Sequence, residues 1–186
     1  PPMPKGSEEG IVKGMYRLIE SKTPAIRLLG SGSILNESIK AKSILDNYGI
    51  ESEIWSVTSF NLLRKDGMEV ERFNQLNPDL DEKISYVEEC FDGKSIPVIA
   101  STDYMRSYAE QIRPYIKAKY NVLGTDGYGR SDSREMLRGF FEINANSIVR
   151  ASAYSLFKEG TIDKKQLDVI YNDMGVDPSK PNPWEV

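Results

Sequence analysis

Three glycines within six residues, Gly124, Gly127 and Gly129, stand between an apolar run and a helix start, with Asp126, Arg130 and Asp132 threaded through the same stretch. A loop of this kind opens the backbone and gathers charges of both signs at the end of a strand. The chemistry it suggests is the cradling of a phosphate or other anion, or acid–base work by a carboxylate. A second strand-to-helix junction, residues 29–35 (Leu-Gly-Ser-Gly-Ser-Ile-Leu), lies where dinucleotide-binding folds put their phosphate loop. The third glycine of that pattern is missing. Glu51 and Glu53 also fall at the start of the next strand, whereas a ribose-binding carboxylate belongs at its end, where Thr58 and Ser59 stand. The plainer reading is a tight turn with Ser31 or Ser33 capping the helix. Asp103, Asp126 and Asp132 all follow strands, but no spacing pairs them, and the alternating ligands and closing Glu of a calcium loop are missing. Asp103 and Asp132 are expected as helix caps. No catalytic, cofactor-binding or metal-binding residue is assigned.

The chain of 186 residues contains no histidine. That removes Ser-His and Cys-His nucleophiles, His-liganded metals and imidazole acid–base chemistry. The net charge of −4 and the lack of any long Lys/Arg run argue against a nucleic-acid binder. Cys90 is the single cysteine, so no internal disulfide forms; it lies in a helical apolar pattern and reads as a buried, inert thiol. No apolar run is long enough for a membrane span, and a cytoplasmic protein is expected.

These residues must be positioned by elements whose pattern is regular. Residues 25–29, 53–57, 97–100 and 120–123 read as strands, each joined to the next through helix-like sequence, and residues 10–19 as a partly extended segment. Gly67 marks a break in the helix that follows the second of these strands, residues 82–91 and 105–112 suit further helices, and Pro114 ends the latter. Before the helix at 133–141, Asp132 and Glu135 form a capping box, and Met136, Leu137, Phe140 and Phe141 a buried stripe. Residues 145–158 form a helix, and a last one opens at Asp163 with Gln166 at the box position, Ile162 stapled to Leu167, and a stripe of Leu167, Ile170, Tyr171 and Met174. Residues 177–186 are proline-broken and run over the surface. The expected fold is α/β: a three-layer α/β/α domain over 10–186 with a mainly parallel, about five-stranded sheet, preceded by a linker at 1–9.

Several words of the sequence are specific: residues 9–16 (Glu-Gly-Ile-Val-Lys-Gly-Met-Tyr), 28–34, 55–60, 100–104, 109–113, 124–135 and 160–165. On these the chain resembles the C-terminal domain of the homodimeric type of pyruvate dehydrogenase, the decarboxylating first component of the pyruvate dehydrogenase complex, and more loosely the third domain of transketolases. The resemblance implies a parent that decarboxylates pyruvate on thiamine diphosphate with magnesium and acetylates the lipoyl groups of a dihydrolipoyl acetyltransferase core. It implies that the cofactor lies between the first two domains at a dimer interface, and that this third domain is noncatalytic. The expected partners are the N-terminal and middle domains and the second subunit, with Asp126, Tyr128 and Arg130 as contacts. The alternative is a stand-alone nucleotide or anion binder using the Gly30 and Gly124 loops.

Overall fold

Two strands put large apolar side chains on both of their faces and therefore have to be covered on both. They are β2 (Ile26–Ser31) and β3 (Ser52–Val57), and every residue of both is buried. A computed structural model describes residues 2–185; Pro1 and Val186, the ends of the expected linker and tail, lie outside the described residues. The sheet is completed by β1 (Met15–Ile19), β4 (Val98–Ser101) and β5 (Tyr120–Leu123), in the order β1-β3-β2-β4-β5. All neighbours are parallel except β1, which runs antiparallel along β3 with Met15 opposite Val57 and a register shift between Arg17 and Ile19. The expected five-stranded, mainly parallel α/β sheet is the one found. One face is covered by α3 (Phe60–Leu76), α4 (Tyr86–Cys90) and α5 (Arg106–Glu110); the other by α2 (Leu35–Asn47), α7 (Ala145–Lys158) and α8 (Lys164–Asp173).

The centre of the sheet holds a buried ion pair. Arg27 Nε donates to Glu53 Oε1 at 2.6 Å, both residues being 3% exposed. Burying two charges is tolerable only when their remaining donors and acceptors are satisfied. Here they are: the Arg27 guanidinium also donates to the carbonyls of Lys94 and Phe91, both at 3.1 Å, and Trp55 Nε1 donates to Glu53 Oε1 at 3.0 Å. Arg27 rides 4.6 Å above the Phe91 ring, which meets Trp55 edge-on. From β1, Arg17 reaches to 3.8 Å from Glu53 Oε2.

A second buried carboxylate organises the opposite layer. Glu37 of α2 accepts from Lys40 at 2.9 Å, from Arg138 at 3.0 Å, and from the backbone N–H of Ala145, the first residue of α7, at 3.1 Å. Arg138 belongs to α6 (Arg134–Phe140), so one side chain ties three helices together. Burial works against ionisation of Glu37, but the hydrogen bonds from Lys40 and Ala145 and the charges of Lys40 and Arg138 outweigh it and hold its pKa below the ordinary value.

Several elements differ from the sequence expectation. Helix α1 (Glu8–Lys13) begins inside the stretch read as linker and precedes β1. Gly67 does not break α3: a Cβ there would lie 2.4 Å from the Tyr115 ring, so the glycine is a notch for an aromatic packed against an unbroken helix. Helices α4 and α5 are single turns; α4 opens with a Ser85–Glu88 capping box. The last helix follows the pattern, with the Asp163 carboxylate accepting the Gln166 N–H at 2.7 Å, and Ile162 and Leu167 in one core cluster. Among the described residues no helix is long and apolar enough to cross a membrane.

Two consequences are measurable. Arg27→Met strands the Glu53 carboxylate in the core and should lower the unfolding free energy in urea by roughly 3–5 kcal/mol, with the double change Arg27→Met, Glu53→Leu recovering much of the loss; a single-variant cost below about 1 kcal/mol would show that the pair is not needed. Because the folded pKa of Glu37 lies below its unfolded value of 4.5, its stabilisation is complete above that pH and disappears as pH falls through the lower folded value. Glu37→Gln should therefore flatten the fall in Tm between about pH 6 and about pH 3.

Candidate functional site at the carboxyl edge of the sheet

In a doubly wound sheet the strand order reverses at one point, and the crevice beyond the carboxyl ends there is the usual place for a site. In this chain the reversal lies between β2 and β4. The loops that meet there are stitched to each other. Ser31 Oγ donates to Thr102 Oγ1 at 2.8 Å, Ser33 Oγ donates to Asp103 Oδ2 at 3.2 Å, and Arg138 donates to Ser33 Oγ at 3.1 Å. Neither Ser31 nor Ser33 caps α2, which is entered through a 3₁₀ turn at Gly32–Ile34. Asp103 caps nothing either and holds Ser33 instead.

The two glycines on which a nucleotide site would rest both face the protein. A Cβ on Gly30 would lie 2.6 Å from Leu35 Cα, and one on Gly124 would lie 2.8 Å from the Tyr104 carbonyl oxygen. They allow a strand to pack closely on a helix and one loop to pack closely on another. Gly127, at φ +104°, lies in the left-handed region, and its missing side chain makes room for Trp184, whose Cα would be 3.0 Å from a Cβ. The glycine loop is thus clamped between residues 104–106 on one side and the C-terminal tail on the other.

The tail is anchored by charge. Lys180 Nζ donates to the Gly139 and Phe140 carbonyls at the end of α6 and pairs with Glu142 at 3.2 Å; Glu142, at φ +58°, also pairs with Arg150 at 2.6 Å. Burial opposes the Glu142 charge, yet its bonds from Arg150 and Lys180 keep the carboxyl below its ordinary pKa. A cleft of about 320 Å³ under the tail contains these groups and the Arg106–Asp126 pair, so its charges are already balanced internally.

The three residues expected as contacts are placed very differently. Asp126 turns inward: its Oδ1 accepts the Arg106 N–H at the start of α5 at 3.0 Å, doing at long range the capping work that the sequence assigns to Asp103. Tyr128 is 85% exposed. Arg130 lies with its guanidinium 4.3 Å over the Phe140 ring. The helix behind them starts at Ser133, whose hydroxyl accepts the Met136 N–H, while Asp132 accepts from Ser133 itself. The expected buried stripe is not buried: α6 has no buried residue, and Met136 is 61% exposed. The tyrosines divide as well. Tyr115 and Tyr120 belong to the core, whereas Tyr104 and Tyr108, rings 5.1 Å apart, remain exposed beside Met105.

Between the glycine loop, α6 and the β2–β4 crossing lies a crevice of about 360 Å³, with Ile34, Leu137, Phe141 and Ile143 among its apolar lining and Arg130, Arg134 and Arg138 among its charges. Glu37, Arg134 and Arg138 escaped the sequence reading. The i,i+4 spacing of the two arginines on α6 is a visible signal for a shared face; nothing local marks Glu37. Cys90 is free, and burial pushes its thiol up to about 11, consistent with an inert role.

Residues 14–144 match the family described as the transketolase-like TK C-terminal domain. The chain is 53% identical over 190 residues to the pyruvate dehydrogenase E1 component of Pseudomonas aeruginosa, covering all of this chain and 22% of that protein. It is 46% identical over 187 residues to that of Escherichia coli K12, covering 98% of this chain and 21% of the relative. A transketolase from Leishmania mexicana superposes with a TM-score of 0.59 at 18% identity over 84% of this chain and 20% of its own, and one from Pichia stipitis with 0.59 at 17% over 87% and 21%. The chain spans about a fifth of the length of the curated relatives it matches. With its reversed strand order and a clamped glycine loop where a nucleotide site would lie, the chain belongs to the transketolase-like C-terminal domain family, homologous to the C-terminal part of bacterial pyruvate dehydrogenase E1 components, which are oxidoreductases.

Proposed function

We propose that this chain is the noncatalytic architectural part of a thiamine diphosphate-dependent pyruvate dehydrogenase, packing against the other domains of the same polypeptide and helping two subunits associate. The observation that carries it is the surface around the glycine loop, where Tyr128 on the loop and Tyr104 and Met105 on the segment packed against it stand in solvent beside a half-buried α6. Large apolar groups gathered on one rim are characteristic of a surface that is covered in its working state. In this reading the complete enzyme works in the cytoplasm as a homodimer and delivers acetyl groups to a dihydrolipoyl acetyltransferase core.

Thiamine diphosphate and magnesium belong, in the same reading, to the other domains, where the cofactor supplies the electron sink for decarboxylation. Support for placing them there is geometric. At the two strand ends where a diphosphate would be cradled, Gly30 and Gly124 face Leu35 and the Tyr104 carbonyl oxygen, which fill the space. The work left for this chain is positional: Glu37 and Lys180 hold α6, and Gly124 and Gly127 hold the loop, so that the exposed face keeps one shape.

The chain by itself, supplied with thiamine diphosphate, magnesium and pyruvate, should release carbon dioxide at the background rate; measurable turnover would overturn the reading. In the complete polypeptide, Tyr128→Ala should weaken subunit association about tenfold, equal to about 1.4 kcal/mol, in sedimentation across a dilution series. Unchanged association would remove Tyr128 from the contact.

A further inference from the structure

The crevice beside the glycine loop differs from the rest of the proposed contact face in its charge. Glu37 balances Arg138, and Asp103 is the one carboxylate on the crevice wall, leaving an excess of positive charge from Arg130 and Arg134. Among the described residues neither Arg130 nor Arg134 has a carboxylate partner, in contrast to Arg138, Arg150 and Arg106 nearby. The floor beneath them is apolar, formed by Ile34, Leu137, Phe141 and Ile143. A guanidinium above an apolar floor gains most from a carboxylate that arrives with an apolar neighbour, because the pair is then desolvated and can close bidentately.

We infer that this crevice is the socket for an acidic side chain carried on an apolar segment from another part of the assembled enzyme, with Arg130 and Arg134 as its two clamps. The inference rests on the architectural reading above and names the chemistry of the partner. Two features select a protein segment over a free small anion. The rim of the crevice is Tyr128, a large side chain 85% exposed above the apolar floor, and a small anion would leave its ring in water. The matched relatives are also about five times as long as this chain, so the required segment has a source. Arg138 is the positioning residue of the socket: locked between Glu37 and Ser33, it orients the helix that presents Arg134 and takes no part in the clamp itself.

The test uses the complete polypeptide. Arg134→Lys, treated with a zero-length carbodiimide, should yield a cross-link between the introduced amine and an Asp or Glu outside residues 1–186, identified by mass spectrometry. The double change Arg130→Glu, Arg134→Glu should weaken assembly by at least about tenfold and remove most of its dependence on ionic strength. Cross-links confined to residues 1–186, together with unchanged salt dependence in the double variant, would overturn the inference. So would inorganic phosphate that raises the Tm of the parent but not of the double variant, since that pattern belongs to a small-anion site. If Tyr128→Ala weakens assembly while the double charge reversal does not, the socket is refuted and the architectural reading stands; if neither variant has an effect, both fall.

Discussion

The buried pairing of Arg27 with Glu53 is the constraint on which the sheet depends. Both central strands are covered on both sides, so any charge they carry is out of water and must be fully bonded where it lies. Satisfying Arg27 fixes more than β2 against β3. Its two remaining bonds seize the Phe91 and Lys94 carbonyls, which sets the loop that delivers the chain to β4 and so the point where the strand order reverses. Arg17 brings β1 toward the same carboxylate from the antiparallel edge, at 3.8 Å from Glu53 Oε2.

Glu37 repeats the device on the other layer. A buried carboxylate gathers donors from three helices, and the helix that lacks a core of its own, α6, is held by Glu37 on one flank and by Lys180 on its terminal carbonyls. The result is a short amphipathic helix fixed in place without being buried. That is a structural solution suited to a contact face, because the apolar side chains are presented in a set arrangement while remaining available. The cleft under the tail shows the contrast: Arg106, Arg150 and Lys180 are each paired with a carboxylate there.

Much of this architecture is legible in the residues. The strand positions, the parallel sheet with helices on both faces, the span of α7 and the Asp163 cap of α8 all follow from local signals of period, glycine stops and capping residues. The errors share one cause. Gly67 looks like a helix break because its partner, the Tyr115 ring, is remote in sequence; Asp126 looks free because the N–H it caps belongs to Arg106, twenty residues earlier; the α6 stripe looks buried because periodicity reports which face is apolar and says nothing of what covers it. The same limit hid Glu37, whose three partners lie in α2, α6 and α7.

By itself the sequence determined the class of fold, the absence of imidazole chemistry and, through the words around Gly124, the family, since each depends on residue type and short-range spacing. Only the tertiary structure decided what the glycine loop does. Whether Gly30 and Gly124 open toward a ligand or toward protein depends on atoms brought close by folding, and those atoms, Leu35 and the Tyr104 carbonyl, fill the space. The placement of Asp126, Tyr128 and Arg130 was decided in the same way: one turned inward to cap α5, one stayed in water, and one settled over Phe140 at the mouth of the crevice.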